Sequence, residues 1–230
     1  MSEDVRAFFA NWDIYKLCLE HNTLHHREVG EILRTRLLAL DQPFSFLDLA
    51  CGDAEVTAEA LAGSRVNSYT GVDYSAPAIA LAVEKTSVLH IPRKFHEQDF
   101  TLFLRANTER FDVVYLGLSL HHLEKTAKRE MMGHVRRAVI AGGAFYLFEP
   151  ILHGGESREG YVERWSSAMN GPYDAFPPAA RDALREHVRI SEIPEAPGDY
   201  LSCAIAAGFS PGETLFTDPG NFYSLFRFIA

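Results

Sequence analysis

Three residues in this 230-residue chain have the types and spacing for proton chemistry: His121 and His122 in "LGLSLHHLEK", and Glu149 near the end of "AGGAFYLFEP". An imidazole held at one ring nitrogen by a carboxylate keeps its other nitrogen available to take a proton from a hydroxyl or a protonated amine. Each group lies just past an apolar run, so both reach the same rim if those runs are adjacent strands of one open sheet. His121, or failing it His122, is therefore a candidate general base oriented by Glu149. The competing reading makes one histidine a cap of the following helix and Glu149 a solvated strand-end residue.

A second group gathers around "FLDLACGDAEVT", residues 46–57. A short apolar run interrupted only by Asp48 reads as a strand covered on both faces, and a helix pattern begins near residue 55. The join, Ala50-Cys51-Gly52-Asp53-Ala54, is built from side chains small enough to let a ligand approach the backbone. "YTGVDYS" places Asp73 at the next strand tip, 21 residues beyond Gly52, where a carboxylate can accept from both hydroxyls of a ribose. "FHEQDF" sets Asp99 beside Phe100, a carboxylate for an exocyclic amine next to a flat apolar surface. These three tips together describe an adenosine site. A pyrophosphate would want a fuller glycine pattern, and Asp53 and Asp48 place negative charge where it would lie. S-adenosylmethionine, with an ammonium, a sulfonium and no phosphate, suits the acidic turn.

The elements that must position these groups follow from the pattern of the chain. Apolar runs near residues 45–49, 67–72, 94–97, 111–116, 143–148, 210–217 and 222–229 predict strands, and helical patterns fall near 55–63, 76–89 and 125–139. Such alternation predicts an α/β, Rossmann-like, doubly wound sheet. Only Pro219-Gly220 separates the last two runs, which predicts a seven-stranded sheet closed by a C-terminal antiparallel hairpin at its edge. The expected organisation is a single domain over 1–230: an N-terminal helical cap at 1–42, a cofactor-binding core at 43–150, a helical insertion after the fifth strand at 151–208, and the hairpin at 209–230.

From about residue 10 to the end, the chain resembles the class I S-adenosylmethionine-dependent methyltransferases of the small-molecule type. "LDLACGDA", "GVDYS", "EQDF", "FDVVYLGLSLHHL" and "AGGAFYLFEP" occur in the order and spacing of that superfamily's motifs. Ala50 and Ala54 stand where the strictest first motif has glycine. The resemblance implies that Asp48, Ala50, Gly52, Asp73, Tyr74, Asp99, Phe100 and Leu116 contact the cofactor. It further implies methyl transfer to oxygen or nitrogen of a small-molecule acceptor; an RNA or protein methyltransferase and a non-catalytic cofactor-binding partner are the alternatives.

Two regions outside the alternation supply acceptor candidates. In "LEHNTLHHREVGE", His21 and His25 have helical spacing for a metal only if one helix runs through Asn22-Thr23, which reads instead as a helix start, so no metal is expected. Tyr15, Asn22 and His26 are lid candidates there. In "REGYVERWSSAMNGPYDAF", helical spacing gathers Arg158, Tyr161 and Trp165 on one face, with Arg164 and Tyr173 nearby. That face either packs on the sheet or walls the acceptor pocket, where an arginine would hold an anionic group and favour an aromatic or carboxylate-bearing acceptor.

Net charge is −9 and three scattered cysteines show neither paired nor metal-ligand spacing. Nucleic-acid partners are therefore not expected. With no long apolar run or charged leader, a soluble cytoplasmic protein without a membrane partner is expected; the sequence leaves the oligomeric state open.

Overall fold

The computed structural model describes residues 12–230. Its strands are β1 (Phe44–Leu49), β2 (Val66–Asp73), β3 (Arg93–Glu97), β4 (Phe111–Gly117), β5 (Val139–Pro150), β6 (Glu213–Thr217) and β7 (Tyr223–Ile229). Its helices are α1 (Trp12–Glu20), α2 (His26–Leu38), α3 (Glu55–Leu61), α4 (Ala76–Lys85), α5 (Phe100–Ala106), α6 (Lys125–Ala138), α7 (Arg158–Ala168), α8 (Pro178–Ser191) and α9 (Pro197–Ala206). One sheet runs β3-β2-β1-β4-β5-β7-β6. Strands β1 to β5 pair in parallel, while β7 is antiparallel to both β5 and β6. The order reverses between β1 and β4, which opens a crevice beyond their carboxyl ends.

Alternation along each strand divides the core between the two faces of the sheet. On one side Leu47, Leu49, Val114, Leu116, Phe145 and Leu147 pack with Met131 and Val135 of α6 and Tyr200 of α9. On the other, Phe46, Tyr69, Tyr115, Tyr146 and Phe148 pack with Val29, Leu33 and Leu37 of α2 and with Ala60 and Leu61 of α3. A third apolar cluster joins Cys18 of α1 to Tyr161 and Trp165 of α7 and to Leu184 and Val188 of α8, so the N-terminal helix and the insertion form one cover.

All seven strands occur close to their expected positions. The sequence reading missed α5, a seven-residue helix capped by Asp99; "FTLFLRA" is too short and too uniformly apolar to display a helical period. Strand β5 begins at Val139, four residues earlier than expected, with a register shift between Phe111 and Val113 on its partner. Gly143 permits this approach, since a Cβ there would stand 2.6 Å from the Asp112 carbonyl oxygen. The N-terminal turn extends further than expected: α2 starts at His26, after His25 in a left-handed conformation (φ 58°). Among the described residues no helix is long and apolar enough to cross a membrane.

Candidate active site

Beyond β1 the chain enters the small-residue turn with Ala50, Gly52 and Ala54 all left-handed (φ 51°, 54° and 56°). For an alanine that backbone costs about 1 kcal/mol, so the strict glycines of the motif are dispensable but not free to replace. The turn is fastened from β2. Asp73 Oδ2 accepts the Gly52 N–H at 2.9 Å, its Oδ1 accepts the Ser75 N–H at 2.8 Å, and Cys51 N–H donates to the Val72 carbonyl at 3.0 Å. Beneath the turn, Asp48 Oδ2 accepts the Thr57 hydroxyl at 2.6 Å and the Tyr69 hydroxyl at 2.7 Å. Its other oxygen is buried with no hydrogen-bond partner. Burial pushes the Asp48 carboxyl up to about 7 despite those two hydroxyls.

Asp48, Ala50, Gly52, Asp73 and Tyr74 line one cavity, together with Asp53. The Asp53 charge is answered by Lys85 at 2.6 Å, so its weight against a diphosphate is smaller than the sequence suggests. Asp99 stands at the end of β3 and caps α5, accepting the Thr101 N–H at 2.8 Å and the Thr101 hydroxyl at 2.6 Å. Two of the expected cofactor contacts, Phe100 and Leu116, are not among the described residues lining the cavity. The side chains of Phe100 and Leu116 are buried in the core beside Leu47 and Leu49. The strand alternation that turns Leu116 inward leaves Gly117 and the left-handed Leu118 (φ 48°) on the cavity wall.

The histidine and carboxylate meet as expected. Tight backbone turns past β4 bring His121 Nδ1 to 2.6 Å from Glu149 Oε2, both residues being buried. Glu149 also accepts the N–H groups of Ser119 (3.0 Å) and Leu120 (2.8 Å) on Oε1 and of His121 (3.0 Å) on Oε2. Burial raises this carboxyl, but three backbone N–H donors converging on its two oxygens favour the carboxylate, which assigns the shared proton to the imidazole. Burial, reinforced by Lys128, holds His121 down to about 3, so the ring is neutral with Nδ1 protonated. Nε2 is left as the basic nitrogen of a residue that lines the cavity. His122 lines it too, with Nδ1 donating to the Ser191 carbonyl at 3.1 Å.

Of the acceptor candidates, Tyr15, His26 and Trp165 line the cavity. Tyr15 Oη lies 3.1 Å from His26 Nε2, and Trp165 Nε1 donates to the Tyr223 hydroxyl at 3.0 Å. Five others are not among the described residues lining the cavity. Asn22 is occupied in the turn, with Oδ1 accepting the Arg27 N–H and Nδ2 donating to Glu28. Tyr161 and Tyr173 are buried in the apolar cluster of the cover. Arg158 donates to the carbonyls of Glu192 and Arg189, both at 2.6 Å, tying α7 to α8. Arg164 grips both oxygens of Glu156 at 2.8 Å, lies 4.2 Å above the Phe222 ring and reaches the Ile151 carbonyl. In that grip the Glu156 carboxyl is held down to about 2. Arg164→Ala is therefore expected to destabilise the fold by about 2 kcal/mol in chemical denaturation, by unfastening the insertion from the hairpin.

Leu184, His187 and Val188 of α8, with Glu192, Tyr115 and Tyr223, also line the cavity and escaped the sequence reading. The spacing of Leu184, His187, Val188 and Ser191 is a helical face, and that was the available signal. Among the described residues no group of three or more His, Cys, Asp or Glu side chains is arranged to hold a metal ion. His21 packs instead against Phe176.

Residues 46–143 match the family model of a methyltransferase domain. No protein of curated function matches the chain by sequence. Among solved structures, an O-methyltransferase family 2 protein from Planctomyces limnophilus, in complex with apigenin, is 14% identical, with 100% of this chain and 62% of that one covered and a TM-score of 0.62. An O-methyltransferase family protein from Burkholderia thailandensis is 17% identical over 87% of this chain and 56% of its own, with a TM-score of 0.61. Human N-acetylserotonin methyltransferase in complex with S-adenosylmethionine is 17% identical over 87% of this chain and 51% of its own, with a TM-score of 0.57. The chain thus spans between 51% and 62% of the length of these three structures. Their likeness shows the fold. The sequence match is to a methyltransferase domain over residues 46–143, and one of the neighbours of this fold, the human enzyme, is in complex with S-adenosylmethionine.

The residues present fit that cofactor. The buried, unpartnered oxygen of Asp48 is an acceptor without a donor, the kind of site an ammonium completes. Because the Asp48 carboxyl sits near 7, a bound ammonium would expel its proton. Affinity for S-adenosylhomocysteine is therefore expected to fall as pH drops from about 7 to about 5, by up to about tenfold per pH unit. The slope should vanish in Asp48→Asn, as calorimetric titration across that range would show.

Proposed function

We propose that this chain transfers a methyl group from S-adenosylmethionine to a hydroxyl oxygen of a small aromatic acceptor, within one domain formed by core, cover and hairpin. The observation that carries the reading is His121, held by the buried Glu149, on the wall of a cavity that the Gly52 turn also lines. Bound in that turn, the cofactor would supply an electrophilic methyl on a sulfonium. Gly52, Ala50 and Tyr74 would hold it, with Asp73 accepting from its ribose and Asp48 from its ammonium. His121 Nε2 would take the acceptor's hydroxyl proton and Glu149 would stabilise the resulting imidazolium, while the sulfonium's carbon–sulfur bond would give way to the new carbon–oxygen bond and leave S-adenosylhomocysteine as the neutral thioether. Trp165, Leu184, Val188 and Tyr223 supply an apolar, aromatic wall that excludes water and orients a flat acceptor. The names of the structural neighbours, O-methyltransferases, support oxygen over nitrogen.

The reading is tested by titrating the protein with S-adenosylhomocysteine and, separately, with NAD. Saturable binding of the former alone is expected, followed by acceptor-dependent methyl transfer from labelled donor to phenolic compounds. Binding of NAD alone, or of neither, defeats it.

A further inference from the structure

The acceptor side of the cavity holds one acidic group that the proton transfer does not use. Glu192 follows α8 directly, is 8% exposed and lines the cavity, with Oε2 accepting the Tyr161 hydroxyl at 2.7 Å. Its segment is laced to the turn of the base: Ile193 N–H donates to the His121 carbonyl at 2.9 Å, and His122 Nδ1 donates to the Ser191 carbonyl. Glu192 therefore keeps a fixed relation to His121.

The charges around it are lopsided. Among the described residues lining the cavity there is no lysine or arginine. The charge of Arg158 reaches the Glu192 carboxyl and partly offsets burial, through a guanidinium that donates to the Glu192 and Arg189 carbonyls. Lys128 is committed to Glu195 and the Ile193 carbonyl. His121 and His187 are neutral because burial holds them near 3 and 2, His122 is lowered for the same reason, and Glu149 adds repulsion from behind His121. Burial and that repulsion push the Glu192 carboxyl up to about 7, where an incoming cation can draw it into the ionised form. A buried carboxylate that accepts one hydroxyl, and that among the described residues forms no direct ion pair with a lysine or arginine, leaves acceptor capacity for whatever fills the cavity.

We propose that Glu192 is the specificity-determining residue of the acceptor subsite, and that it selects hydroxyaromatic acceptors carrying an amine over those carrying a carboxylate. This rests on the methyltransferase reading above. It also replaces the sequence expectation of a carboxylate-bearing acceptor, whose arginines fasten the cover instead.

The test is calorimetric binding of three phenols of similar shape, tyramine, para-ethylphenol and para-hydroxyphenylacetate, to protein saturated with S-adenosylhomocysteine near pH 7.5. Tyramine is expected to bind at least about tenfold more tightly than para-hydroxyphenylacetate, with para-ethylphenol between them. That ratio should fall below about threefold in Glu192→Gln, which keeps an acceptor for Tyr161, and persist in Tyr161→Phe, which keeps the charge. A carboxylate probe that binds as well as the amine, no binding by any probe up to about 10 mM, or an unchanged ratio in Glu192→Gln overturns the proposal. S-adenosylhomocysteine affinity, measured first on every sample, separates the failures. Its loss in the unaltered protein defeats the methyltransferase reading, whereas intact affinity without discrimination defeats only the role of Glu192. Should Glu192→Gln lose that affinity by failing to fold, the ratio in the unaltered protein and in Tyr161→Phe still decides.

Discussion

His121→Ala is expected to lower kcat by about a hundredfold to ten-thousandfold while S-adenosylhomocysteine binds as before. Methyl transfer to a neutral hydroxyl leaves a proton that the oxygen must shed, and under the proposed mechanism Nε2 of a neutral His121 receives it. Since burial holds this ring down to about 3, it stays unprotonated through the neutral range. The kcat profile should therefore lack the falling acid limb that free imidazole would give near its ordinary value of about 6.5. A limb there would show that the working base is solvated, and unchanged turnover across pH in the alanine variant would remove His121 from the chemistry. Glu149→Gln should reduce kcat comparably by a different route. Four N–H donors meet the two carboxylate oxygens, and an amide nitrogen in place of either oxygen sets donor against donor. The expected cost is about 3 kcal/mol of stability, read by chemical denaturation, together with loss of the correct imidazole tautomer.

How far such a site can be read without coordinates depends on whether its geometry is set locally. The strands were legible because a strand buried on both faces must be a continuous apolar run, and the tips at Asp48, Asp73 and Glu149 follow once the runs are ordered. The His121–Glu149 contact, 28 residues apart in sequence, was inferable because adjacent parallel strands end at one rim. The arginines were not. Arg158 and Arg164 look like anion ligands beside aromatics, yet their partners lie as far as 57 residues away, on carbonyls that only the packed cover and hairpin bring within reach. Leu116 lies in the core for a smaller reason, since the pleat decides which of neighbouring residues faces the cavity. His187 was hidden differently, with Glu192 just past the end of the same helix: on an amphipathic helix, a face that packs and a face that lines a cavity have the same spacing.

Asp73→Ala is expected to weaken S-adenosylhomocysteine binding by at least about a hundredfold, equivalent to about 3 kcal/mol. The carboxylate has two separable roles, and the variants divide them. Its oxygens hold the Gly52 and Ser75 N–H groups, so removal leaves two backbone donors without their acceptor and frees a turn that already carries left-handed alanines. The same oxygens retain lone pairs for the ribose hydroxyls. Asp73→Asn keeps an acceptor for one backbone N–H but gives up the charge, which predicts an intermediate loss of about tenfold. Lys85→Ala is the control: its ammonium pairs with Asp53 at 2.6 Å and Glu55 at 2.7 Å, and Lys85 is not among the described residues lining the cavity. Affinity there should stay within about threefold of the unaltered protein. If asparagine instead matched alanine, the charge toward the ribose would account for the affinity and the fastening of the turn would not. If asparagine matched aspartate, the order of importance would be reversed.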